Sequence, residues 1–364
     1  MESGSPIFPL TQMARSTPTE FWNDSCAIDE MTYAIANGAV GATTNPVIVA
    51  AVLKKEFAKW EPRIREIMAK RRSCTEDDVA WAIIEDMGAK GAELLLQTFK
   101  ASKGKKGRLS IQANPKYFRD SQKMVEQALR LNALAPNLNI KIPATRAGID
   151  AIEQLTYLGV STNATVCFTV AQAMSVAEAT ERALRRREKE GKKVEEMSPM
   201  CAIMAGRLDD WLKKVADKKG IITNPGNLEW AGVAVVKKAY ALYKERGYRT
   251  RLLVAAYRNH MQWSEFIGGE LSMTIPYEWQ VRFNASDVAV KARMDLPVDS
   301  EIIDELSRKF PDFRNAYDEK GLSIDDFDNF GATRRTLRQF LKSYDDLVSL
   351  IRDSLLPDPD VKGE

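Results

Sequence analysis

A lysine stands in the middle of a short apolar run, Asn139-Ile-Lys-Ile-Pro143, where it alternates with two isoleucines. Successive side chains of a strand point to opposite faces, so Ile140 and Ile142 face one way and Lys141 the other. With the isoleucines against a layer of helices, Lys141 points into the protein. Burial disfavours the charged ammonium, and an amine held neutral can attack a ketone and form a Schiff base. A buried ion pair, or a place at a barrel end, also accounts for such a lysine, so strand context alone leaves both readings open. The neighbours shift the balance. Asn163 and Thr165 share one face of the segment 161–168, Ser110 and Gln112 one face of 108–112, and Trp22 and Asp24 one face of 20–24. Four strands thus aim polar groups at one space, which is the pattern of a catalytic mouth, the alternative being a polar layer satisfied by water.

Composition removes most other chemistries. The 364 residues hold 53 Lys+Arg against 50 Asp+Glu, a net charge of +3 that lacks the strong basic excess of a nucleic-acid-binding or polybasic membrane protein. A small molecule or another protein is the expected partner. No run of 18 apolar residues occurs and the first 18 residues are polar, so neither a span nor a signal peptide is expected, and a cytoplasmic location follows. The single histidine, His260, excludes Ser-His-Asp and Cys-His mechanisms and multi-histidine metal sites. Cys26, Cys74, Cys167 and Cys201 are far apart in sequence and form no C-x-x-C pair, which argues against a zinc site and a disulfide framework and for reduced thiols. Chemistry here must run on Lys, Asp, Glu, Gln, Thr, Tyr or Arg.

The elements that would position these groups are eight short strands, 20–24, 40–44, 108–112, 139–143, 161–168, 200–204, 251–257 and 272–275, alternating with segments of helical period. Eight such units predict a (β/α)8 TIM barrel with its active site at the C-terminal ends of the strands. The long helical stretch 47–103 adds about two helices between the second and third strands, with an N-cap at Thr75 followed by Glu76, Asp77 and Asp78. The charged run 182–193 reads as a solvated helix end, His260 as a rim residue, and Trp60, Trp81, Trp211, Trp230, Trp263 and Trp279 as packing residues. Cys167 is expected to face the side of its strand opposite Thr165. From Asp299 the strands stop, and Leu337, Phe340, Leu341, Tyr344, Leu347, Leu350 and Ile351 form the stripe of an amphipathic helix. That helix is expected to pack across the barrel or to form a contact in a homo-oligomer. Residues 1–364 read as one domain, a barrel over about 18–298 with a helical extension over about 299–356.

Three ordered segments resemble a known family. Gly41-Ala-Thr-Thr-Asn-Pro46, Ile140-Lys-Ile-Pro-Ala-Thr145 with Gly148, and Asn163-Ala-Thr165 through Gln172-Ala173 are similar to the signatures of the transaldolases, over roughly residues 21–275. The resemblance implies a class I aldolase-type barrel that moves a dihydroxyacetone unit from a ketose or ketose phosphate to an aldose or aldose phosphate, without metal or organic cofactor. It implies Lys141 as the Schiff-base nucleophile, Asp24 as the acid/base carboxylate and Thr165 as the hydroxyl that positions the catalytic water. Asn45 and Asn163 match residues that hold the dihydroxyacetone hydroxyls, with Thr43 and Ser110 beside them in the substrate-binding set, and Arg207 and Arg258 match the phosphate-binding arginines. Two positions depart from the pattern. Gln112 stands where transaldolases have a glutamate, as in the related fructose 6-phosphate aldolases, but those carry a tyrosine where this chain has Met204. An aldolase that frees dihydroxyacetone is therefore the alternative to a transferase. A non-catalytic barrel that binds sugar phosphates is a further one, against which the pairing of Lys141 with Asp24 speaks.

Overall fold

The computed structural model describes residues 7–71, 73–356 and 359–360. Eight strands run β1 Glu20–Asn23, β2 Gly41–Thr43, β3 Arg108–Gln112, β4 Leu138–Pro143, β5 Thr162–Cys167, β6 Met200–Met204, β7 Arg251–Ala255 and β8 Ser272–Ile275. Each pairs in parallel with its sequence neighbour, and β8 pairs with β1, so the sheet closes into a (β/α)8 barrel. The alternation in β3 and β4 sorts the side chains as expected: Leu109 and Ile111 of β3 and Ile140 and Ile142 of β4 are fully buried. The helix Glu76–Ala101 comes down on this outer surface where Gly91 leaves room, since a Cβ there would stand 2.5 Å from Leu109.

Two strands end earlier than their sequence period suggests, and each early end frees a side chain. β1 stops at Asn23, although Asp24 N still donates to Ile275 O at 3.0 Å. β7 stops at Ala255 rather than at residue 257 because Ala256 adopts φ +68°, which turns Tyr257 and Arg258 out of the ladder. β5 carries a third irregularity. Its register against β6 shifts between Ala164 and Cys167, with Val166 at φ +55°. Residues two apart on a regular strand share a face, but this bulge reverses the parity and sends Cys167 outward while Thr165 stays with the inward set. The Cys167 sulfur consequently lies 3.8 Å from that of Cys201, so two thiols far apart in sequence are neighbours between barrel and helices. Both are free and buried, and burial pushes the Cys167 thiol far up, which keeps it inert.

Helix starts are set locally. Asn45, Thr75, Thr145 and Thr169 each cap a helix with a side-chain oxygen, and Thr75 forms a reciprocal box with Asp78. Gly148, in the first turn of the helix Arg146–Leu158, is required by contact. A Cβ there would lie 1.7 Å from Pro143 O, so only glycine lets this helix sit against the end of β4. The insertion after β2 comprises the helices Pro46–Lys55 and Phe57–Lys70 ahead of Glu76–Ala101.

After β8 and the helix Tyr277–Asn284, the chain forms the helices Ser300–Lys309 and Pro311–Tyr317, a 3-10 turn Ile324–Asn329 and the long helix Gly331–Leu355. Leu337, Phe340, Tyr344, Leu347 and Ile351 are its buried stripe, as the period predicts, while Leu341 and Leu350 are half-buried. Its polar contacts fix where it lies. Asp328, just before it, accepts from the backbone N–H of Arg146 at 2.9 Å, Gln339 accepts from Arg207, Tyr344 donates to Asp77, and Arg352 Nε donates to Glu76 at 2.6 Å. All four partners are at helix N-termini, which in a barrel of this kind flank the C-terminal ends of the strands. From Arg335 to Arg352 the helix runs about 25 Å at ~1.5 Å per residue. The C-terminal helix thus packs across the mouth of the barrel, one of the two places expected for it.

Candidate active site

The pairing of β3, β4 and β5 puts Gln112 opposite Lys141 and Lys141 opposite Asn163, so these three inward side chains form one layer. Thr165, opposite Pro143, stands one inward step nearer the mouth. Below the layer, Asn139 accepts from Arg108 at 3.3 Å and donates to Ser198 O at 2.9 Å, a structural floor.

Lys141 is 4% exposed, and its amine has one protein partner, the carbonyl of Thr44 at 3.3 Å. Burial lowers its pKa; Asp24 opposes that shift and Arg207 reinforces it. Asp24 moves the other way, its pKa raised by burial against the pull of Lys141, of the hydrogen bond from Thr43 and of Arg207. Asp24 keeps part of its surface open to the mouth, yet protein atoms crowd around it closely enough for desolvation to dominate. Both shifts favour the neutral form. The two groups feel each other electrostatically without forming a direct ion pair.

Asp24 is fixed by a hydroxyl chain. Thr43 Oγ1 donates to Asp24 Oδ1 at 2.6 Å, and Thr43 and Thr274 meet through their hydroxyls at 2.5 Å. Since Thr43 has one proton and gives it to the carboxylate, Thr274 donates to Thr43. Thr43 and Ser110, both expected to meet substrate, thus turn toward protein groups: Ser110 accepts from Asn163 Nδ2 at 3.0 Å. That bond leaves Asn163 Oδ1 without a partner, and Gln112 Oε1 is equally buried and unpaired. Unpaired buried acceptors are costly, and their convergence beside Lys141 is the arrangement that a polyhydroxylated ligand satisfies. Asn45 spends its oxygen on the N–H groups of Val47 and Ile48, at 2.9 and 3.1 Å.

The two arginines enter from neighbouring loops. Arg207 opens the helix Ala205–Lys219 after β6, is half-buried, and donates to Gln339 Oε1 at 2.5 Å. Arg258, after β7, is exposed and grips the carboxylate of Asp210 at 2.7 to 3.1 Å. Its loop is held by a buried strut. Gln262 Oε1 accepts from the backbone N–H groups of Arg258 and Asn259, which turns its Nε2 to Asp209 at 2.9 Å, while Asp209 also accepts from Gly232 N–H. His260 is exposed at the rim with Nδ1 3.1 Å from Ser264 Oγ.

The structure therefore brings Lys141, Asp24, Gln112, Asn163 and Thr165 into one mouth, with Arg207 near enough to act on both Lys141 and Asp24. The sequence reading passed over Thr274, Asp209, Asp210 and Gln262, and it gave no role at the mouth to Arg335, Gln339 or Phe340 on the C-terminal helix. Only Asp210, three residues after Arg207 on a helix, offered a signal.

A family model described as transaldolase/fructose-6-phosphate aldolase matches residues 21–351. Similar proteins described as transaldolase include one from Mycolicibacterium smegmatis, 32% identical over 208 residues, covering 57% of this chain and 55% of that protein. One from Mycobacterium leprae is 32% identical over 232 residues, covering 59% and 58%. One from Mycobacterium tuberculosis is 30% identical over 214 residues, covering 57% and 55%. The chain thus matches little more than half the length of these curated relatives.

Proposed function

The chain belongs to the transaldolase/fructose-6-phosphate aldolase family, and from that premise we propose that it transfers a dihydroxyacetone unit from a ketose phosphate donor to an aldose phosphate acceptor through a Schiff base on Lys141. The observation that carries this reading is a buried lysine amine, pushed toward its neutral form, in one mouth with a half-buried, desolvated carboxylate and unpaired amide acceptors. In the proposed sequence the Lys141 amine adds to the donor carbonyl and loss of water gives the iminium. Asp24 accepts the proton of the C4 hydroxyl as the C3–C4 bond breaks and the first aldose leaves. The enamine then adds to the acceptor aldehyde, Asp24 returns the proton, and water positioned by Thr165 releases the product. Asn163 and Asn45 hold the hydroxyls of the bound fragment, and Thr43 sets the orientation of Asp24. Arg207 and Arg258 take the phosphate, their planar forks bonding two oxygens at once. To do so, Arg258 must exchange or share Asp210.

One observation favours a second reading, release of free dihydroxyacetone: the amide of Gln112 at the level of Lys141. Supplying fructose 6-phosphate alone, then with erythrose 4-phosphate, separates the two. The transferase reading expects turnover only with the acceptor present; dihydroxyacetone accumulating equally fast without acceptor would establish the aldolase instead.

Gln112 gives a further expected result. An amide orients water but takes no proton, whereas a carboxylate at that level both accepts one and favours the charged form of the facing Lys141. Gln112→Glu is expected to raise the transfer rate on the alkaline side and to move the acidic limb of the pH profile to higher pH. An unchanged rate and profile would remove Gln112 from the proton path.

A further inference from the structure

We propose that Arg335 and Gln339, on the helix Gly331–Leu355, complete the seat for the substrate's phosphate together with Arg207 and Arg258, so that the C-terminal extension sets the preference for phosphorylated over free sugars. This rests on the sugar-phosphate reading above and adds to it a specificity element outside the barrel.

Three guanidinium groups converge at this side of the mouth around one carboxylate. Arg258 takes the carboxylate of Asp210 through Nε and Nη2. Arg335 reaches the same residue but bonds only its backbone carbonyl, Nη1 to O at 3.2 Å. Arg207 bonds the neutral Gln339 and lies over the ring of Phe340, 5.5 Å from its centroid. Among the described residues, neither Arg207 nor Arg335 has a carboxylate within ion-pair distance. A guanidinium carries five N–H donors, and Arg335 uses one of them on a neutral acceptor. Burial depresses the pKa of Arg207 to about 10, with Arg258 and, more weakly, Arg335 adding repulsion against the attraction of Asp210 and Asp24.

The cluster therefore carries more positive charge than its carboxylate neutralises, and the Arg207 fork is held in place. Gln339 Oε1 fixes one edge of the Arg207 fork, and the stripe containing Phe340 anchors the helix that presents Arg335. A phosphate monoester dianion supplies the missing charge and enough oxygens for several forks. Dispersed attraction of anions is the competing account, because, like Arg335 itself, Arg334 and Arg338 are exposed on the same helix. They supply the control.

The test compares kcat/KM for fructose 6-phosphate and for fructose in the full-length enzyme and its variants. Losing one charge-assisted contact is expected to cost about 10-fold. Arg335→Ala should lower kcat/KM for fructose 6-phosphate by that factor, chiefly through KM, leave fructose unchanged, and weaken competitive inhibition by inorganic phosphate. Arg335→Lys, which keeps charge but not the fork, should recover part of the loss. Gln339→Glu puts a carboxylate on Arg207 that competes with phosphate, and should raise KM for the phosphorylated sugar in a chain whose packing is untouched. Arg338→Ala should change nothing. The proposal is overturned if Arg335→Ala and Gln339→Glu leave the ratio of the two substrates as it was, or if Arg338→Ala lowers it as much. A wild-type enzyme indifferent to the phosphate would overturn the sugar-phosphate reading itself, which distinguishes the two failures.

Discussion

Borohydride added with fructose 6-phosphate is expected to fix a reduced sugar fragment on Lys141 and to abolish activity, and Lys141→Ala should lose both the label and turnover by a factor on the order of 10⁴ or more. The chemical reason is that, among the described residues of the mouth, no other group can form the iminium. The other nitrogen bases there are the arginines, which stay protonated, and the amides, which are not nucleophilic. The free amine is the reactive species, and burial lowers the Lys141 pKa. A protonated amine cannot attack, so kcat/KM falls as pH drops through that lowered value and is retained above it. Mass spectrometry of the intact chain and of the Lys141 peptide reads the label. A fragment on another lysine, with Lys141→Ala fully active, would falsify the Schiff-base assignment.

Asp24→Asn is expected to separate bond cleavage from adduct formation. Removing a positioned proton acceptor typically costs 10²- to 10⁴-fold, so transfer should fall by about that much while Lys141 remains open to trapping. The isosteric amide keeps the contact with Thr43 and its hydroxyl chain to Thr274, which avoids collapse of the site. The pH dependence of trapping gives an independent reading. The Asp24 charge holds the Lys141 pKa up against burial, so its loss lets that pKa fall further. The acidic limb of the trapping profile should therefore move to lower pH in the variant. Full transfer activity with an unmoved limb would place the proton acceptor elsewhere.

Strand count, barrel class and the inward lysine were legible because each depends on neighbours in the chain. Ile140 and Ile142 fix the outward face of β4, and with it the inward face of Lys141, by a period of two. Thr75 and Asp78 close a helix start between themselves, and the stripe from Leu337 to Ile351 states a helical face whatever covers it. Cys167 shows the limit of such arithmetic. It was expected to face away from Thr165, and it does, but only because Val166 breaks a period that would have put the two together.

What tertiary structure alone decided is which partner each side chain takes. Thr43 and Ser110 lie in the right segments for substrate contact, yet closure of β8 against β1 brings Thr274 to Thr43, and the level of β5 brings Asn163 to Ser110. The sequence names no partner for Arg258, whereas the helix after β6 delivers Asp210 to it. The C-terminal stripe predicts burial but not its location, so that Arg335 and Gln339 at the mouth were invisible. The physical reason is range. Backbone period and caps are fixed by interactions between residues a few positions apart, which any short window of sequence contains. Hydrogen-bond and ion-pair partners are chosen among groups that meet only after the barrel has closed, 132 residues apart in the case of Arg207 and Gln339.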